Sequence, residues 1–119
     1  MGIYDEEKKI LIETAKHLVS KGYLLATGGN LSMKTKNEKA FVITPSNYDY
    51  LLMKPEDICV LDLKMNKIEG DRKPSIESAM HCVVYNKRKD VKAIIHTHQV
   101  YASTLAIIDT PIPALYDEQ

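Results

Sequence analysis

Over residues 5–21, apolar side chains recur at Ile10, Leu11, Ala15, Leu18 and Val19, a stripe with the 3.6-residue period of an amphipathic helix. Acids at its start and Lys21-Gly22 at its end supply the charges and the stop that such a helix takes. A one-sided helix must be covered by another element, and the residues that follow alternate with a period of two. Leu31-Ser32-Met33-Lys34 and Ala40-Phe41-Val42-Ile43-Thr44 read as a hairpin around Lys36-Asn37-Glu38. Thr44-Pro45-Ser46-Asn47 ends the second strand, because proline lacks the ladder N–H and Ser and Asn favour turns.

The same reading predicts a helical turn at residues 53–57, then a strand at 58–63 that turns at Met65-Asn66 and pairs antiparallel with Lys67-Ile68-Glu69. After a loop at 70–74, Ser75 is a plausible N-cap. Ile76, Ala79, Met80, Val83 and Val84 then have the spacing of a second amphipathic helix, with this apolar side expected to face inward. Residues 91–95 form a short strand that runs into His96-Thr97-His98. A last helix starts near Tyr101 and is stopped by the prolines at 111 and 113. Antiparallel strands with interspersed helices, in a chain of 119 residues without repeats or linkers, predict a single α+β or layered α/β/α domain over 1–119.

Sixteen basic residues balance sixteen acidic ones and are scattered among them, so no footprint for nucleic acid or anionic lipid is present. No stretch approaches the roughly 20 apolar residues that cross a bilayer. The acidic start, MGIYDEEKKI, is unlike a signal peptide and lacks the hydroxyl residue of a myristoylation signal. A cytosolic protein is expected. Cys59 and Cys82, in ICVL and HCVV without a CxxC spacing, are expected to be buried reduced thiols.

His96 and His98 stand two apart at the end of an apolar strand. Strand alternation puts both imidazoles on one face with Cα atoms roughly 6.5–7 Å apart, a separation that one metal ion can bridge. Glu77 lies in the first turn of the second helix. His81, four residues on, is either its partner on that face or a surface residue. The glycine-rich run Thr27-Gly28-Gly29-Asn30-Leu31-Ser32, together with Thr44, Ser46 and Ser75, can offer backbone and hydroxyl donors to a small anion such as phosphate.

Taken in order, TGGNLS (27–32), ITPS (43–46), KPSIESAMH (73–81) and AIIHTH (93–98) resemble the class II aldolase/adducin family over essentially the whole chain. The resemblance implies a layered α/β/α domain with a largely antiparallel central sheet. It further implies zinc (Zn2+) held by His96 and His98, and Glu77 as the catalytic acid/base. Gly29, Asn30, Ser32, Thr44, Ser46 and Ser75 would surround a substrate phosphate. The implied reaction is reversible cleavage of a ketose 1-phosphate, such as L-fuculose 1-phosphate, to dihydroxyacetone phosphate and an aldehyde. Zinc would act as a Lewis acid, and Glu77 would move a proton with a pKa raised toward neutrality. Pentulose-5-phosphate 4-epimerases and methylthioribulose-phosphate dehydratases share the pattern, and adducin heads use the fold without chemistry.

The resemblance also implies a homotetramer with active sites between subunits, and Tyr116, one position out of register, as a proton donor. Members of about twice this length bring a third zinc-ligating His from their carboxy-terminal half. No His follows His98 here, so the domain is expected to be C-terminally incomplete, with the other half missing or carried by a separate chain. In the family's fuculose aldolase a second phosphate-binding Ser follows the position of Ser75, where this chain has Ile76.

Overall fold

The computed structural model describes residues 2–114. Helix α1 (Asp5–Ser20) opens with Asp5, Glu6 and Glu7 against its positive end. It closes where Gly22 adopts φ +79° and the N–H groups of Gly22 and Tyr23 bond back to Val19 and Leu18. That pair of bonds satisfies the last carbonyls, and glycine takes the left-handed conformation at low cost. The helix buries Leu11, Ile12 and Ala15, while Ile10, which the period placed on the stripe, is 40% exposed. The inward face is turned so that Glu7 and Lys8 are buried too. Each has a partner there, the Lys36 N–H for Glu7 and the Glu69 carboxylate, 2.7 Å away, for Lys8.

Strands β1 (Asn30–Lys34), β2 (Ala40–Ile43), β3 (Cys59–Asp62), β4 (Lys67–Glu69) and β5 (Ala93–His96) form one sheet in the order β4-β3-β2-β1-β5, with every pairing antiparallel. Helices α2 (Ser78–Lys87) and α3 (Val100–Ile107) complete the chain of elements. Alternate residues of the central strands feed two cores. Ala40, Val42, Ile58 and Val60 pack with α1, Leu31, Tyr50 and Met53. Phe41, Ile43, Cys59 and Leu61 pack with Cys82 and Tyr85 of α2. Because both faces are covered, β2 and β3 read as continuous apolar runs. The expected layered α/β/α domain is therefore present, and its sheet is wholly antiparallel. Both cysteines are buried and free, and burial pushes their thiols up.

The face predicted for α2 is not the one that is buried. Ile76, Met80 and Val83 point outward, at 79%, 45% and 58% exposure, and the inward side is Ser78, His81, Cys82 and Tyr85. The cause is the strand beneath. The residues of β1 that alternate toward α2 are polar: Ser32 bonds to His81 and Tyr85, and the Lys34 ammonium lies 5.7 Å from the Tyr85 ring centre. Buried polar groups must be paired, so the helix turns its own polar groups to meet them. Among the described residues, no helix is long and apolar enough to cross a membrane.

Candidate active site

The sheet brings together segments far apart in sequence. Asn30 pairs with His96, so the start of β1 meets the end of β5. The turn before β1 needs glycine at position 29, where φ is +76° and a Cβ would collide with the His96 carbonyl and sit 2.8 Å from Leu24 Cδ2. Tyr50 holds this turn from below. Its hydroxyl donates to the carbonyls of Gly28 (3.0 Å) and Gly29 (2.7 Å), and burial, with the nearby charge of Glu77, pushes its pKa up to about 12. Gly29→Ala is expected to lower unfolding stability by about 2–4 kcal/mol, the combined cost of a left-handed Ala and an overpacked contact. Urea denaturation measures it, and an unchanged midpoint would show that the turn is not held as described.

A second junction faces the first. Pro45 bridges Pro74, the Ser46 N–H donates to the Lys73 carbonyl (2.9 Å), and the Ser75 N–H donates to the Thr44 carbonyl (3.1 Å). Between the two junctions lies a cleft of about 140 Å³ whose lining includes Thr27, Gly28, Gly29, Asn30, Ser46, Ser75, Glu77 and His98. A larger hollow of about 290 Å³ lies beyond Gly28 and His98, toward Lys21 and Val100, and does not include Glu77. The chemistry-bearing groups converge on the smaller one.

Glu77 stands at the N-terminal end of α2, and one of its oxygens, Oε2, accepts two hydrogen bonds: from Asn30 Nδ2 (2.5 Å) and from His96 Nδ1 (2.6 Å). The Asn30 bond is the chief reason its pKa is lowered; desolvation opposes this, and the His96 bond adds to it. The sequence reading asked for a Glu77 pKa raised toward neutrality. The site does the reverse, because two donors favour the charged form, and Glu77 is held as a carboxylate. The ring centres of His96 and His98 are 5.0 Å apart, edge to face, so the pair shares one side of the strand end as alternation required.

Of the six residues expected around a phosphate, Gly29, Ser46 and Ser75 line the cleft, and Asn30 reaches it with its amide committed to Glu77 and His81. Ser32 and Thr44 are turned away from it. The Ser32 hydroxyl is buried against His81 and Tyr85 (2.6 Å each), and Thr44 Oγ1 accepts the Leu31 N–H (3.2 Å). Tyr116 lies outside the described residues. Tyr50, which holds the glycine turn, had no signal in the sequence, and the wholly buried His81 had only a weak one. The weak hint for His81 was its place four residues after Glu77.

The donor set suits zinc. Two imidazoles are typical ligands, and a carboxylate on Nδ1 of a His is the usual way a ligating ring is oriented with Nε2 outward. Among the described residues, no three His, Cys, Asp or Glu side chains form a metal-holding group.

A family model described as the class II aldolase and adducin N-terminal domain matches residues 9–119. The chain belongs to the class II aldolase and adducin family. It is 38% identical over 113 residues to a 5-deoxy-D-ribulose 1-phosphate aldolase of Bacillus thuringiensis serovar kurstaki, a match covering 95% of this chain and 53% of that protein. It is also 38% identical over 109 residues to a probable L-ribulose-5-phosphate 4-epimerase of Mycoplasma pneumoniae, covering 91% of this chain and 45% of the relative. Among solved structures, an L-fuculose 1-phosphate aldolase matches with a TM-score of 0.85 at 42% identity, over 92% of this chain and 51% of the other. The chain spans about half the length of the curated relatives it matches. The family and the fold expected from the four motifs are both borne out.

Proposed function

We propose that this chain carries the phosphate-binding and proton-transfer part of a zinc-dependent sugar-phosphate aldolase site. In the whole protein that site reversibly cleaves a ketose 1-phosphate, such as L-fuculose 1-phosphate, to dihydroxyacetone phosphate and an aldehyde. The observation that carries this reading is the convergence of Glu77 and His98 on a cleft walled by the glycine turn and by Ser46 and Ser75, with His96 bonded to Glu77. Ser46 and Ser75 offer hydroxyls to a phosphate, and Gly29 lets the backbone come close to it. In the condensation direction Glu77, held as a carboxylate, takes the proton from the carbon next to the carbonyl of dihydroxyacetone phosphate, and in the cleavage direction it returns a proton to that carbon. His96 and His98 would hold zinc, which when bound supplies Lewis-acid polarisation of substrate oxygens.

A 4-epimerase is the second reading, favoured by the equal identity to the two relatives named above, one an aldolase and one a probable epimerase. Both reactions can share a carbon–carbon cleavage step, so the same residues serve either. By the family likeness the assembly is a cytoplasmic homotetramer, completed by a carboxy-terminal half that supplies a further zinc ligand.

Two measurements test the proposal. Metal analysis of the purified protein is expected to find stoichiometric zinc that is lost in His96→Ala; a wild-type protein free of zinc at neutral pH would remove the metal from the reading. Incubation of the whole protein with ketose 1-phosphates is expected to release dihydroxyacetone phosphate. A zinc-loaded protein that releases none from any of them, but interconverts pentulose 5-phosphates, would transfer the assignment to the epimerase.

A further inference from the structure

A line of hydrogen bonds runs from the interior of the second core to the site. Tyr85 Oη and Ser32 Oγ are 2.6 Å apart, Ser32 Oγ and His81 Nδ1 are 2.6 Å apart, His81 Nε2 meets Asn30 Oδ1, and Asn30 Nδ2 lies 2.5 Å from Glu77 Oε2. The direction of every bond follows from its last member. A carboxylate only accepts, so the Asn30 NH₂ must face Glu77 and its carbonyl oxygen must face His81. His81 Nε2 therefore carries the proton, Nδ1 accepts from the Ser32 hydroxyl, and Ser32 accepts from Tyr85. The chain has one consistent orientation, Tyr85 to Ser32 to His81 to Asn30 to Glu77.

We infer that His81 is a positioning residue for the reaction: through Asn30 it locks the Glu77 carboxylate in the place where it also meets His96. The inference rests on the proposed role of Glu77. Three observations carry it. His81 has no exposed surface and occupies a position where an apolar side chain would pack without the cost of pairing two ring nitrogens. Its partners Ser32 and Asn30 are also buried, at 1% and 4% exposure, and the line leads outward only to Glu77. Without the His81 donor the Asn30 amide is free to turn over, which would aim its carbonyl at a carboxylate and repel it. Burial keeps His81 neutral near pH 7, with a pKa pushed down to about 4, and neutrality suits the acceptor role of Nδ1 toward Ser32.

The test compares His81→Phe, which removes both ring nitrogens, with His81→Gln, whose side-chain NH₂ can still donate to Asn30. NMR of the Asn30 side-chain amide is the first readout. In the wild type and in His81→Gln, its protons are expected to be shifted downfield and slow to exchange. In His81→Phe, exchange is expected to quicken about tenfold or more, as for a lost protected hydrogen bond. Long-range imidazole spectra of the wild type should show His81 as the neutral Nε2–H form. Ser32→Ala is the second route: it removes the donor to Nδ1 with His81 in place, and should mobilise the Asn30 amide even if His81→Phe does not fold. An Asn30 amide that is equally protected in His81→Phe, or in Ser32→Ala should the former fail to fold, overturns the inference.

The kinetic readout is a fall in kcat of about tenfold in His81→Phe, with KM nearly unchanged and recovery in His81→Gln, as expected for a misplaced base. If the wild type cleaves no sugar phosphate, the proposed function fails while the amide readout still decides the positioning claim. If the wild type cleaves and the two variants are kinetically alike, the function stands and the positioning role falls.

Discussion

Glu77→Gln is expected to lower carbon–carbon cleavage by about 10²–10⁴-fold, the usual contribution of a positioned acid/base group, while zinc content stays at the wild-type level. The separation of the two effects comes from the geometry. A single oxygen, Oε2, accepts both the Asn30 and the His96 bonds. A Gln can place its carbonyl oxygen there, keep both partners and leave the His96 ring oriented, so that only the basicity is lost. Steady-state release of dihydroxyacetone phosphate, measured beside metal content, reads the two separately. Unchanged turnover would remove Glu77 from the proton-transfer step. Parallel loss of zinc and activity would make it a ligand first.

The second large effect is on stability against acid. His81 is buried with a pKa near 4, lowered mainly by burial and further by the charge of His96, with Glu77 opposing, whereas the unfolded chain has the ordinary value of 6.5. Below 6.5 the unfolded chain binds a proton that the folded chain refuses. The stabilisation is therefore complete above pH 6.5 and drains away as pH falls toward 4, by roughly 3 kcal/mol in all. Two carboxylates add to the loss at lower pH. Burial acts against the Asp57 charge, but its bonds from Arg72 and the Lys54 N–H prevail and lower its pKa, and that of Glu77 is lowered too; both contributions disappear only as pH falls through the folded values. Urea midpoints at pH 7, 5.5 and 4.5 should fall steadily, and His81→Gln should flatten the upper part of the curve. A wild-type midpoint constant from pH 7 to 4.5 would mean that His81 is not buried as a neutral ring.

Much of the frame was legible because short-range periodicity carries it. The hairpin 31–34 with 40–44 was visible from alternation, and the pairing of 58–63 with Lys67-Ile68-Glu69 from branched residues and a turn; both pairs are present as β1–β2 and β3–β4. The second helix was visible from its period, yet its buried face was misjudged. Hydrophobicity alone placed Ile76, Met80 and Val83 inside, whereas the polar side of β1, above all Ser32, calls for His81 and Tyr85. Periodicity in one element cannot report what the element across from it requires. For the same reason Ser32 read as a phosphate donor: in TGGNLS it is one more hydroxyl near a glycine turn, and only β1 pairing turns it to the interior.

What the sequence determined by itself are the positions at which one residue type is chemically or sterically obligatory. Gly29 is needed where the backbone is left-handed against the His96 carbonyl, two imidazoles two apart share a strand face, and an acid opens the second helix. These constraints are local, or survive as spacings. The tertiary structure alone decided which polar group meets which across 47 to 53 residues of chain: Asn30 with Glu77, Ser32 with His81 and Tyr85. It thereby decided that Glu77 is held as a charged carboxylate, because a carboxylate's pKa is set by the donors the fold delivers to it and not by its neighbours in sequence.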